Sequence, residues 1–256
     1  MTAATVYNLS ELATVLSADG QHPDLVEAIE RAAAVSSAHR DLREALLGLN
    51  LLRRLTHAGD ETPLSDDDMT TIVGSLMTNA IILYARATDT KPIARRKWFG
   101  EGKLPTDLRA VHRELMQLRD KEIAHFGKGQ PVDGAPLLEE ALVLRPSDRD
   151  RQLGFLSSRM HNRAALARRA EYLVEMVLAL CEEKVSKRHT DIHRLLSKLA
   201  EAKDPVMAKL GTMSLPNPRL LAAEASSQRN PAPCESVGNF SGTAVVEIHD
   251  GDLAAR

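Results

Sequence analysis

Aromatic residues make up only 3% of this chain, tryptophan occurs once, at Trp98, and cysteine twice, at Cys181 and Cys234. A hydrophobic content of 43% with so few rings argues against sheets built from aromatic and β-branched side chains and for helices packed through Ala and Leu. Two distant cysteines exclude a disulfide framework and a thiolate metal site. No apolar run, AIILYA at residues 80–85 included, approaches the roughly 20 residues of a bilayer-crossing helix. Met1 to Leu16 lacks a basic start followed by an apolar core, so no signal peptide and a cytoplasmic location are expected. A formal net charge of −2 argues against a general polyanion binder. Internal repeats, a phosphate-binding glycine loop, a serine nucleophile and a carboxylate dyad with context are missing too.

What remains is a chain of 256 residues, long enough for one sizeable core, with apolar side chains at helical spacing. An all-α bundle of four to six helices is expected. A short helix fits around Leu9 to Leu16. From Pro23 to His57, Leu25, Ile29, Ala32, Leu42, Leu46, Leu49 and Leu52 mark a helix with a possible break at Ser36-Ser37. Ser65 followed by Asp66, Asp67 and Asp68 is a helix start with a capping hydroxyl and early negative charge. Met69, Ile72, Val73, Leu76, Met77, Ala80, Leu83, Tyr84 and Ala87 then give a wide apolar face. Pro92, Gly100, Gly102 and Pro105 interrupt the next stretch. Leu142 to Leu144 suits a short extended piece. Ser147 is expected to open the longest helix, carrying Leu153, Leu156, Met160 and Val174, with a break near His189. The boundaries read from this pattern are an N-terminal helical segment at 1–64, the main bundle at 65–214 and a disordered tail at 215–256.

The stretch from Thr106 to Gly129 combines the most features. Leu108, Val111, Leu115 and Leu118 lay one apolar stripe along a helix for which Thr106 is the expected N-cap and Gly127 and Gly129 the stop. Between residues 91 and 129 stand ten Lys/Arg against five acids. This basic cluster can collect phosphates or be a solvated face. Arg95, Arg96, Lys97, Arg113, Lys121 and Lys128 are the candidate RNA contacts. Trp98 fits two roles: stacking on a base beside these cations, or plugging the bundle end together with Phe99.

Arg119-Asp120-Lys121-Glu122-Ile123-Ala124-His125 resembles the signature of the HEPN superfamily, an arginine followed by a polar residue and, four to six positions on, a histidine. The small residue before the histidine is particularly similar to abortive-infection members, over about Thr70 to Lys187. The resemblance implies a HEPN-like bundle acting as a metal-independent endoribonuclease of toxin or phage-defence type. It also implies a homodimer whose two motifs share one cleft, an RNA substrate, an antitoxin or operon partner, and neither cofactor nor membrane. His125 would then move protons, and Arg119 would brace the phosphorane oxygens with its fixed charge. Asp120 is available to orient either residue or to balance surface charge. Residues six apart on a regular helix are separated by about 240°, so Arg119 and His125 converge only if the helix departs from regularity. The alternative is a non-catalytic helical scaffold, RNA-binding protein or regulator with a degenerate HEPN domain. Arg188 and His193 satisfy the bare pattern too and rank second. His189 and His193 have the spacing of two zinc ligands but no third nearby.

The tail carries too little periodic apolar surface to offset the entropy of ordering it. Truncation after Met213 is expected to leave the thermal midpoint, followed by circular dichroism, nearly unchanged. A large drop would show that the β-prone Thr243 to Ile248 docks.

Overall fold

The structure, a computed structural model, describes residues 6–58, 65–89, 96–123, 138–146, 151–159 and 164–215. Six α-helices run through them: α1 (Leu9–Ala18), α2 (Pro23–Ala58), α3 (Asp66–Thr88), α4 (Thr106–Leu118), α5 (Ala164–Glu201) and α6 (Val206–Thr212). The fold is all-α, with two short antiparallel ladders added. Strand β1 (Val6–Tyr7) pairs with β4 (Ser214–Leu215), and β2 (Leu138–Pro146) with β3 (Arg151–Arg159). No described helix is long and apolar enough to cross a membrane.

Residues 31–188 form one compact unit. Its core takes from α2 a run of Val35, Ala38, Leu42, Ala45, Leu49 and Leu52, which alternates steps of three and four and keeps one stripe inward. The same pattern continues in α5 with Leu166, Ala170, Leu173, Val177 and Cys181, and in α4 with Leu108, Val111, Leu115 and Leu118. Each fully buried Leu of this kind contributes about 1.5–3 kcal/mol. Helix α3 starts as its sequence requires, with the Ser65 hydroxyl accepting from the Asp68 amide at 3.1 Å. Its Arg86 closes a two-pronged ion pair on Asp41 of α2, in which the carboxylate is only 3% exposed. The Cys181 thiol is buried and donates to the Val35 carbonyl.

The other unit is built, among the described residues, from 6–30 and 189–215. Its described part buries Leu12, Leu16, Leu25, Ile29, Ile192, Leu196, Val206 and Leu210. The Asn8 side chain caps α1, and Lys209 reaches Asp19 at 2.6 Å. His22 adopts a left-handed φ of 48° and faces Asp204 at 3.3 Å.

Several expectations are corrected. The compact units divide at 30/31 and 188/189, so α2 from residue 31 onward shares a core with α3 and α4 where a separate segment at 1–64 was expected. Helix α2 is unbroken at Ser36-Ser37, since the inward stripe passes them without a change of phase. Helix α5 likewise runs unbroken past His189. Residues 151–159 are a strand and not a helix; Gly154 and Ser157-Ser158 weaken helix there, and an antiparallel partner at 138–146 takes up the backbone groups. Pro105, not Thr106, holds the cap position of α4, with no side-chain bond. Ser214 and Leu215 belong to a ladder, so the cut that isolates the tail belongs after Leu215. The disordered tail expected at 215–256 lies, apart from Leu215, outside the described residues, as does the stop at Gly127 and Gly129.

Replacing Arg86 with Met removes a two-pronged cationic partner of a nearly inaccessible carboxylate. With the guanidinium itself 44% exposed, the cost is expected below the about 3–5 kcal/mol of a fully buried pair, read as a lower urea midpoint with the fold retained.

Candidate functional site

The α4 stripe is buried by four apolar residues, and this fixes which polar side chains stand at its edge. His112, Met116 and Arg119 follow one another at four and three residues, so they share one side of the helix. Each meets the end of α3. The Tyr84 hydroxyl and His112 Nδ1 are 2.8 Å apart. The Thr88 hydroxyl lies 3.9 Å from Met116 Sδ while donating at 2.9 Å to the Tyr84 carbonyl. Arg119 donates to Asp89 at 3.0 Å. Partner numbers rise together along both elements, so α3 and α4 run side by side in the same direction, which the crossover at 89–105 permits.

Beyond Leu118 the helix changes character. Arg119–Ile123 forms a π turn, a wider winding that occurs often at functional sites. The Arg119 side chain is 20% exposed and lies between two carboxylates. Asp89 takes one terminal nitrogen, and Asp120 Oδ1 sits 2.6 Å from Nε, but out of alignment for a hydrogen bond. Nε is therefore buried without a hydrogen-bonding partner, with the Asp120 charge beside it. Asp120 itself is exposed.

The other expected contacts fall into three groups. Arg96 and Lys97 are exposed on the crossover. Arg113 is engaged with Glu101 at 2.8 Å, a pair in which the guanidinium holds the Glu101 carboxyl below its ordinary value. Neighbouring Arg109 donates to the Leu104 and Gly102 carbonyls. The basic cluster is thus partly neutralised from within. Trp98 follows the plug arrangement and not that of a free stacking platform: its indole donates to the Ala87 carbonyl at 2.7 Å and its ring packs on the core beside buried Phe99. Arg95, His125 and Lys128 lie outside the described residues, as does the side chain of Lys121. Arg188 and His193 lie within the continuous α5. Among the described residues no group of three or more His, Cys, Asp or Glu is placed to hold a metal ion.

Tyr84, Asp89 and His112 were missed by the sequence reading. The available signal was the seven-residue step from His112 to Arg119, two turns of helix. Tyr84 is fully buried, and burial pushes its phenol well above the ordinary range, so the hydroxyl stays protonated. Burial likewise lowers the His112 pKa, with Arg113 adding to the effect and Glu101 and Asp89 opposing it. The imidazole is held neutral near pH 7 and both ring contacts, edge-on to Tyr84 and tilted on Phe99, fix its plane.

A histidine whose folded pKa is lowered binds protons in the unfolded chain before it does so in the folded one. Stability is therefore expected to fall as pH drops from about 6.5 toward the folded-state value. Urea midpoints above and below this window should separate less in His112→Gln than in the wild type.

Comparison of the chain with protein-family models, with curated proteins and with solved structures found no match.

Proposed function

We propose that this chain is a metal-independent endoribonuclease of the toxin or phage-defence type, working as a homodimer. Arg119 braces the scissile phosphate, His125 transfers protons and Asp120 orients the pair. The observation that supports the reading is the anchoring of Arg119: at a π turn, on the HEPN-like motif, its guanidinium is held by Asp89 in one orientation, as transition-state stabilisation by a preorganised donor requires. Exposed Arg96 and Lys97 supply cations for an RNA strand. A toxin of this kind would be restrained by an antitoxin or other operon partner.

The same site favours one other reading. Arg119 stands between two carboxylates, and Arg113 is matched by Glu101, which suits a helix-end ion-pair cluster in a non-catalytic scaffold or regulator. The two readings ask different things of the same side chains.

Under the nuclease reading, Arg119→Ala and His125→Ala each lower cleavage of single-stranded RNA by at least about 100-fold, with EDTA having no effect, and light scattering gives a dimeric mass at micromolar concentration. Arg188→Ala and His193→Ala leave cleavage unchanged. Absence of cleavage by the pure wild type, a lowered melting temperature in Arg119→Ala and a monomeric mass would establish the scaffold instead.

A further inference from the structure

The histidine that shares a side of α4 with Arg119 is His112, seven residues earlier and about 10 Å along the axis. Its Nδ1 is committed to the Tyr84 hydroxyl at 2.8 Å. Its Nε2 has no partner among the described residues, yet Arg119 Nε is the one buried side-chain nitrogen or oxygen found there without a hydrogen bond. Nε2 must therefore reach solvent. A half-buried ring clamped at one nitrogen and open at the other differs from a core histidine, whose two nitrogens are both satisfied inside.

We propose that His112 is a second proton-transfer residue of the site, acting through Nε2 as the base that receives the 2′-hydroxyl proton of an RNA strand whose phosphate Arg119 holds. This rests on the nuclease reading above and adds a residue to it. As the 2′-oxygen forms its bond to phosphorus, the bond from phosphorus to the 5′-oxygen breaks. The 2′-hydroxyl proton passes to Nε2, and the departing 5′-oxygen takes a proton from solvent. The products are a 2′,3′-cyclic phosphate and a 5′-hydroxyl, and charge is conserved.

Tyr84 serves this step from behind. Before transfer, its hydroxyl donates to Nδ1, or turns to accept from it when the tautomer with a free Nε2 lone pair is required. After transfer, the imidazolium Nδ1–H donates to the phenol oxygen. The hydroxyl can do both because burial keeps it protonated. The charged groups around the ring are Asp89 after α3, Glu101 on the 3-10 turn and Arg113 on α4. The two acids favour the imidazolium once it forms, while burial keeps the resting ring neutral and competent as a base.

The experiment measures metal-free cleavage of a defined RNA from about pH 5 to about pH 8, with thermal midpoints recorded for each protein. His112→Gln is expected to fold as the wild type does, to lose about 100-fold or more of the rate and to lose the acidic limb of the pH profile. Tyr84→Phe, which keeps ring volume, should shift that limb and lower the rate less. Wild-type cleavage with an unchanged rate and acidic limb in His112→Gln overturns the proposal and leaves the nuclease reading intact. Should His112→Gln fail to fold, Tyr84→Phe decides, an unmoved limb overturning the proposal. An equal loss of rate and melting temperature in both variants with the limb in place means a structural histidine and also overturns it. A wild type without cleavage removes the nuclease reading, and this role of His112 with it.

Discussion

The requirement that α4 bury one stripe fixes the site. Leu108, Val111, Leu115 and Leu118 have to face the core, since leaving four such side chains in water would forfeit several kcal/mol. Once that stripe is seated, rotation about the helix axis is no longer free. His112, Met116 and Arg119 are then carried to the border where α4 runs beside α3. Tyr84, Thr88 and Asp89 meet them there because α3 is seated by its own apolar face and by the Arg86 pair on Asp41. Polar chemistry at this border is a consequence of apolar packing on both sides of it.

The border treats its charges unequally. Arg113 and Glu101 are exposed, and such a pair is screened and contributes little to stability. Arg119 is mostly enclosed, so its two carboxylates matter more, and the orphaned Nε shows that their arrangement is a compromise. A guanidinium fixed this way gives up freedom, which suits the phosphate-bracing role proposed for it. Under the proposed function the same carboxylates would yield some of their hold to a phosphate. The π turn sits at this point, where the last regular hydrogen bonds of α4 give way.

A neutral histidine and an unmoving arginine two turns apart complement each other chemically. One can take a proton near neutral pH, and the other cannot lose one. The buried phenol behind the ring supplies a partner for either tautomer, so the hydrogen bond at Nδ1 survives a change in protonation at Nε2.

Much of the helical skeleton was determined by the sequence alone. Spacing of three and four along α2, α3, α4 and α5 reports the inward faces directly, because a helix has only one way to collect such residues on one side, and Ser65 marked the start of α3 through a purely local bond. Residues 151–159 were misread because Leu153 and Leu156 also sit at a helical step, while the ladder that claims them depends on a partner segment that no local pattern reveals. For the same reason the division of the chain at 30/31 and 188/189 was hidden: long helices pass through it without a change in composition. Arg119 stood out by its sequence neighbours, but its environment was not legible there. That Asp89 holds Arg119, that Tyr84 holds His112 and that Trp98 is anchored to Ala87 are facts about residues 11 to 30 positions apart. The side-by-side course of α3 and α4, and the return of the connecting segment over the end of α3, bring them within hydrogen-bonding distance, and that course is set by the burial of both helices together.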